Sequence, residues 1–202
     1  MFLPEIAMYC PGCPDIVMEN AVRNAAILFC NLTSYVMETL DDQIVPAGTA
    51  ILDTTLSAGE EVVNVVFAYV DGNPIEPVSE EWLQLHCGNW RTLTGTPRKF
   101  VTMDGDETLF PIPISDVVVS LRVAKRPTRT ASALADVIYS EWRDAIVSEA
   151  LSNLLLIPNQ PFSNPQLAMV HDAKSNDWQI GAQAKSYKLT SNAPLRTASQ
   201  PT

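Results

Sequence analysis

The hydrophobic pattern divides the chain into two helical stretches separated by a strand-like middle. Between Pro11 and Val36, apolar or small residues fall at Met18, Val22, Ala25, Phe29, Leu32 and Val36. Steps of three and four place all six on one stripe of a helix. Gly12 and Pro14 mark its entry, and Asp15 and Glu19 sit where the helix dipole favours negative charge. The spacing predicts a helix from about Pro14 to Met37 or Leu40, ended by Asp41 and Asp42, after an extended arm over residues 1–13. The helical period returns beyond Pro127. Residues 132–157 carry Leu134, Ile138, Trp142, Ala145, Ile146, Ala150, Leu154 and Ile157, and Pro158 closes the run. Asn164-Pro165 reads as the cap and first position of a third helix over 166–180, with Leu167, Val170 and Trp178 on its face.

From Ile44 to Pro127 the period shortens to two. Short strands are expected around Ile44–Pro46 and Thr49–Leu56, and a strong one over Glu61–Val70, rich in valine and aromatics. Asp71-Gly72 and Asp104-Gly105-Asp106 are hairpin signals, and Ser79 heads a short helical turn. Val117, Val119, Leu121 and Val123 alternate on one face of a closing strand over Asp116–Lys125. Short strands joined by tight turns imply a small antiparallel sandwich or barrel. The fold class expected is therefore α+β. A discontinuous helical domain, 1–42 with 128–181, carries an inserted antiparallel β domain, 43–127. A polar extended tail, 182–202, follows, and its Tyr187, Leu189 and Leu195 suggest ordering on a partner.

Composition narrows the function. Of 202 residues, 47% are hydrophobic and 18% charged, the balance of a folded protein. No apolar run approaches the roughly 18 residues of a membrane span, and the N-terminus lacks a basic signal-peptide region. A net charge of −10 argues against tight nucleic-acid binding, which needs clustered cations. The one basic cluster, Lys125, Arg126 and Arg129, is expected to face solvent or a neighbouring subunit. Cys10 and Cys13 have zinc-knuckle or redox spacing, but neither a second ligand pair nor a βαβ context accompanies them, so reduced thiols around a turn are expected. His86 and His171 neighbour no nucleophile motif, and the adjacent acidic pairs sit at turns and helix starts. No catalytic, cofactor or metal residue is assigned. Function is left to surfaces.

An ordered set of segments points further. LPEI is followed by PGCPDIVMENAVRNAAILFC, VVNVVFAYVDGNPIEP, WRTLTGTPRKFV, DGDETLFPIPI, VVVSLRVAKRPT and YSEWRDAIVSEALSNLLLIPNQPFSNP. In order and spacing these resemble the head-to-tail adaptor (connector) proteins of tailed bacteriophages over about residues 3–178. The resemblance implies a non-enzymatic structural protein of the virion neck, assembled in the host cytoplasm. It implies a ring of twelve copies beneath the portal protein, continuing the DNA channel and receiving nozzle or tail-tube proteins, with duplex DNA passing unread and no membrane or cofactor involved. On that reading the aromatic and Arg anchors Trp142, Arg143, Phe162, Trp178 and Tyr187, with Leu189 and Leu195, are the candidate interface residues. Three alternatives stay open: a tail-completion or tube-terminator protein that never meets the portal, a virion-associated peptidoglycan hydrolase, and a zinc-binding regulator using Cys10 and Cys13.

Overall fold

The structure, a computed structural model, describes residues 2–103 and 105–190. It is mixed α+β, with six α-helices among the described residues and a curled, largely antiparallel sheet. By internal packing the chain forms two compact units, residues up to 35 together with those from 132 on, and residues 36–131. The edges expected from the sequence were 42/43 and 127/128.

In the helical unit, α1 (Leu3–Tyr9) replaces the extended arm anticipated at the N-terminus. Pro4 falls in its first turn, where a missing N–H costs nothing, and Ile6 is fully buried. Helix α2 (Asp15–Thr33) is shorter than its stripe predicted. Ser34 adopts the left-handed conformation (φ 47°, ψ 30°), and its N–H donates to the Cys30 carbonyl, which closes the last turn. Met18, Val22, Ala25 and Phe29 are buried as expected; beyond them Ala26, Cys30 and Thr33 take over, Leu32 is exposed, and Val36 belongs to the other unit.

The single helix expected over 132–157 is two, α4 (Asp136–Glu141) and α5 (Arg143–Leu154). Trp142 leaves helical geometry between them (φ −123°, ψ 19°), and its indole packs against Phe29 at 5.5 Å and Tyr35 at 5.1 Å between ring centroids. Tertiary packing here overrides helix propensity. Helix α5 packs against both α2 and α6 (Pro165–Thr190) and is buried over Ala145–Leu151. Helix α6 is 26 residues long and covers the start of the stretch expected as an extended tail, so 182–190 are helical. Residues 191–202 lie outside the described part, as does Asp104 of the second hairpin turn.

The other unit is organised on β10 (Val117–Pro127). It pairs antiparallel with β1 (Met37–Thr39), β2 (Gln43–Val45) and β4 (Glu60–Val70). From β4 the sheet continues through β5 (Asn73–Pro77), β7 (Lys99–Met103), β8 (Asp106–Phe110) and β3 (Ile51–Leu52). The purely antiparallel arrangement expected is interrupted twice. β5 pairs parallel with β7, and the short β6 (Thr94–Gly95) pairs parallel with β9 (Ile112–Pro113). Parallel pairing needs a long crossover. The segment between β5 and β7, holding α3 (Glu80–His86) and a 3-10 turn at Trp90–Thr92, supplies it. Ser79 caps α3, its hydroxyl accepting from the Trp82 N–H at 3.1 Å. The alternation read along β10 puts Val117, Val119, Leu121 and Val123 into one core with Ala68, Val70, Ile75, Phe100 and Leu109.

Burial separates the two ends of the α2 stripe. Phe29→Ala is expected to cost about 3–5 kcal/mol, whereas Leu32→Ala should stay within about 0.5 kcal/mol. Denaturant unfolding of both variants measures the difference; equal losses would mean that Leu32 is packed.

Candidate interaction surface

Helix α6 carries its side chains in an unusual order. Asn164 Oδ1 accepts from the Leu167 N–H at 3.1 Å and Pro165 opens the first turn, so the helix begins where its cap residues put it. The buried positions, Ala168, His171, Ser175, Gln179, Ala182 and Ser186, step by three and four but are small or polar. Small side chains let α6 lie close to α5, and the polar ones meet a charge there. Glu149 of α5 is buried; Ser175 Oγ donates to its Oε2 at 2.7 Å, Gln179 Nε2 to the same oxygen at 3.3 Å, and Asn153 Nδ2 to Oε1 at 3.1 Å. At the far end Ser186 Oγ donates to the Ser34 carbonyl at 3.2 Å, and Gln183 Nε2 to the Leu32 carbonyl at 3.0 Å, tying α6 to the end of α2.

The large apolar residues of α6 point the other way. Met169, Val170, Trp178, Ile180, Tyr187 and Leu189 are each between 43% and 72% exposed. Met169, Ala173, Asn176, Ile180, Ala184 and Tyr187 follow steps of three and four and form one exposed stripe along the helix. Such a seam is what a partner helix or groove would cover.

Beside this face an open groove of about 920 Å³ runs between α1, α5 and α6. Met8 and Tyr9 form one wall, Val147 and Leu151 another, and Trp178 the third, with Asp144, Asp177 and Lys174 among the polar lining groups. His171 also lines it; only 6% exposed, it meets the Tyr9 ring edge-on at 5.2 Å, and neither ring nitrogen has a hydrogen-bond partner. Burial pushes the His171 imidazole below its ordinary range, with the Lys174 ammonium adding to the effect.

The residues nominated from the sequence fall in three places. Trp142 and Phe162 are buried within the helical unit, Trp142 because the α4–α5 break turns its indole onto Phe29, Tyr35 and Trp178. Lys185 lies over the same indole, 4.8 Å from its centroid, and reaches Glu141, which also accepts from the Tyr35 hydroxyl at 2.8 Å. Arg143 is partly exposed, paired with Glu5 and set over the Tyr139 ring. Trp178, Tyr187 and Leu189 are exposed on α6, and Leu195 lies outside the described residues. The groove and Glu149 were not nominated. The small, polar stripe on α6 was the sequence signal for them, since such a stripe marks close helix packing around a buried polar group.

Other candidate chemistry resolves structurally. The Lys125 ammonium bridges Glu38 at 2.6 Å and Glu60 at 2.7 Å; burial alone would lower its pKa, but the two carboxylates carry it upward. Arg126 pairs with Glu61 at 2.9 Å. Two of the three clustered cations are therefore spent on carboxylates. Cys10 and Cys13 are both buried at the turn after α1, and burial pushes the Cys10 thiol up to about 11, away from the thiolate form that metals and disulfide exchange require. Burial also raises the Glu107 carboxyl, which accepts from Thr102 Oγ1 of the adjacent strand at 3.0 and 2.9 Å. No described helix is long and apolar enough to cross a membrane.

The SU10 adaptor protein family matches the chain over residues 12–195, nearly its whole length. The chain belongs to the SU10 adaptor family. It is thus a bacteriophage head-to-tail adaptor and a structural protein of the virion, as the ordered segments of its sequence implied. No curated protein matches it.

His171 should make stability depend on pH. Because its folded pKa lies below the ordinary value near 6.5, the unfolded chain takes up the proton first as pH falls. Its contribution is full above about pH 6.5 and is lost below. Urea midpoints measured from pH 7.5 to 5 should fall more steeply for the native chain than for His171→Gln; parallel curves would assign the loss to other groups.

Proposed function

We propose that this adaptor assembles as a ring, of twelve copies, in the virion neck, docks beneath the portal protein, and extends the DNA channel toward the tail proteins that bind it from below. It acts without catalysis. The family match over residues 12–195 carries this reading, and the exposed large apolar residues of α6 support it, since a folded chain gains nothing from leaving Trp178, Ile180, Tyr187 and Leu189 in water. In the ring these residues are the anchors, and the end of α6 with residues 191–202 meets the portal. The β unit meets neighbouring copies and tail proteins. The net charge of −10 suits a wall along which DNA moves: unpaired carboxylates repel phosphates, and a duplex is neither read nor held.

Native mass spectrometry of the chain alone and with its portal tests the assembly. The expected outcome is a fixed multiple of the chain on the portal ring; a chain that stays single beside the portal would overturn the reading. Replacing Tyr187 and Leu189 by Asp should weaken assembly by at least about 30-fold, the weight of one interface anchor of about 2 kcal/mol. Cross-linking on intact particles separates a portal-bound ring from a tube terminator that never touches the portal.

A further inference from the structure

We infer that the cleft between β2 and β3 takes up an extended, basic segment of a partner protein, which adds as a strand and closes the curled sheet. The two strands follow each other in sequence across a turn, where the Thr49 N–H donates to the Pro46 carbonyl at 3.0 Å, yet they do not pair. Each pairs on its other side, β2 with β10 and β3 with β8. A side chain joins them instead. Gln43 Oε1 accepts from the Asp53 N–H, just past β3, at 2.9 Å, and Gln43 Nε2 donates to the Asp53 carbonyl at 3.0 Å. That is the two-point pattern with which one strand residue pairs with another, so the Gln43 amide stands where the peptide group of a further strand would lie. A bridge made by a side chain holds the two main chains farther apart than the about 4.8 Å of paired strands.

Both walls of the cleft offer main-chain groups. The Val118 N–H donates to Asp71 Oδ1 and its carbonyl accepts from the Asp71 N–H, so Val117 and Val119 face β2, where they pair with Val45 and Gln43. By alternation Ile44 turns its N–H and carbonyl to the cleft. In β3 the Ala50 carbonyl accepts from the Leu109 N–H at 2.7 Å and Leu52 pairs with Glu107, so Ile51 turns the same groups to the cleft from the opposite wall. The Ile44 and Ile51 side chains are 70% and 59% exposed, an apolar border for an incoming strand to cover. Charge selects the occupant. Beside Gln43 lies a hollow of about 370 Å³ whose charged lining residues, Glu38, Asp41, Asp42 and Asp53, are all acidic. Lys125, the cation bound to Glu38, is shared with Glu60. A segment with lysine or arginine at alternate positions meets these carboxylates, while its main chain replaces the Gln43 amide on Asp53 and bonds Ile44 and Ile51. This goes beyond the ring reading and holds or fails without it.

Titration of the full chain with an acetylated, amidated heptapeptide alternating lysine and valine tests it. The peptide should bind saturably and slow hydrogen exchange at the Ile44 and Ile51 amides. A peptide alternating glutamate and valine should bind at least about tenfold more weakly. The lysine peptide N-methylated at alternate residues keeps its charge and side chains but loses strand donors, and should not bind. Gln43→Ala removes the competing amide and should tighten binding about tenfold. No saturable binding, equal binding of the N-methylated peptide, protection confined to other strands, or an unchanged affinity in Gln43→Ala overturns the inference. Protection of Ile44 and Ile51 that rises with protein concentration in the absence of peptide would assign the cleft to a second copy of the chain, and overturns the basic partner.

Discussion

The helical unit depends on one buried charge. Helix α5 is enclosed by α2 and α6, and Glu149 sits inside that contact with its oxygens bonded to Ser175, Gln179 and Asn153. A carboxylate removed from water is tolerated only where donors replace the lost solvation. Two of the donors, Ser175 and Gln179, stand on successive turns of α6, so the rotation and the axial position of α6 on α5 are both specified. A purely apolar contact would accept α6 at several registers. The hydrogen bonds from Ser186 and Gln183 to carbonyls at the end of α2 repeat the constraint at the far end of the helix.

That requirement explains the inverted order of side chains on α6. With small and polar residues committed to α5, the large apolar ones are left on the outer face, where Met169, Ile180 and Tyr187 form a seam. An apolar stripe on a helix is normally covered by another element. The groove beside the seam continues the same logic, with His171 as the polar group still lacking a partner.

Electrostatics in the β unit also limit what the surface can do. Lys125 is held between Glu38 and Glu60, and Arg126 faces Glu61, so cations that a count would offer to phosphates are already neutralised. The balance of the chain remains strongly acidic. An acidic surface of this kind repels phosphates and other acidic surfaces alike.

Local periodicity was enough to locate the helices and strands, because a half-buried helix or strand repeats its apolar residues at 3.6 or 2. The stripe from Met18 to Phe29, the alternation along Val117–Val123 and the cap at Asn164-Pro165 all appear in the structure where the sequence placed them. The ordered motifs also named the family. Three features were decided only by tertiary packing. The break at Trp142 depends on aromatic rings from α2 and α6 that lie about a hundred residues before it and some 36 after it in sequence. The first turns around Pro4 read as an extended arm because a seven-residue helix has too few turns to show a period. The continuation of α6 to Thr190 was hidden because its packed face is polar, and a rule that equates burial with apolar residues cannot see a helix whose inner side is Ser, Gln and Ala. Sequence determines which elements can form; which faces they bury is settled when a residue such as Glu149 meets donors that only the folded chain brings within reach.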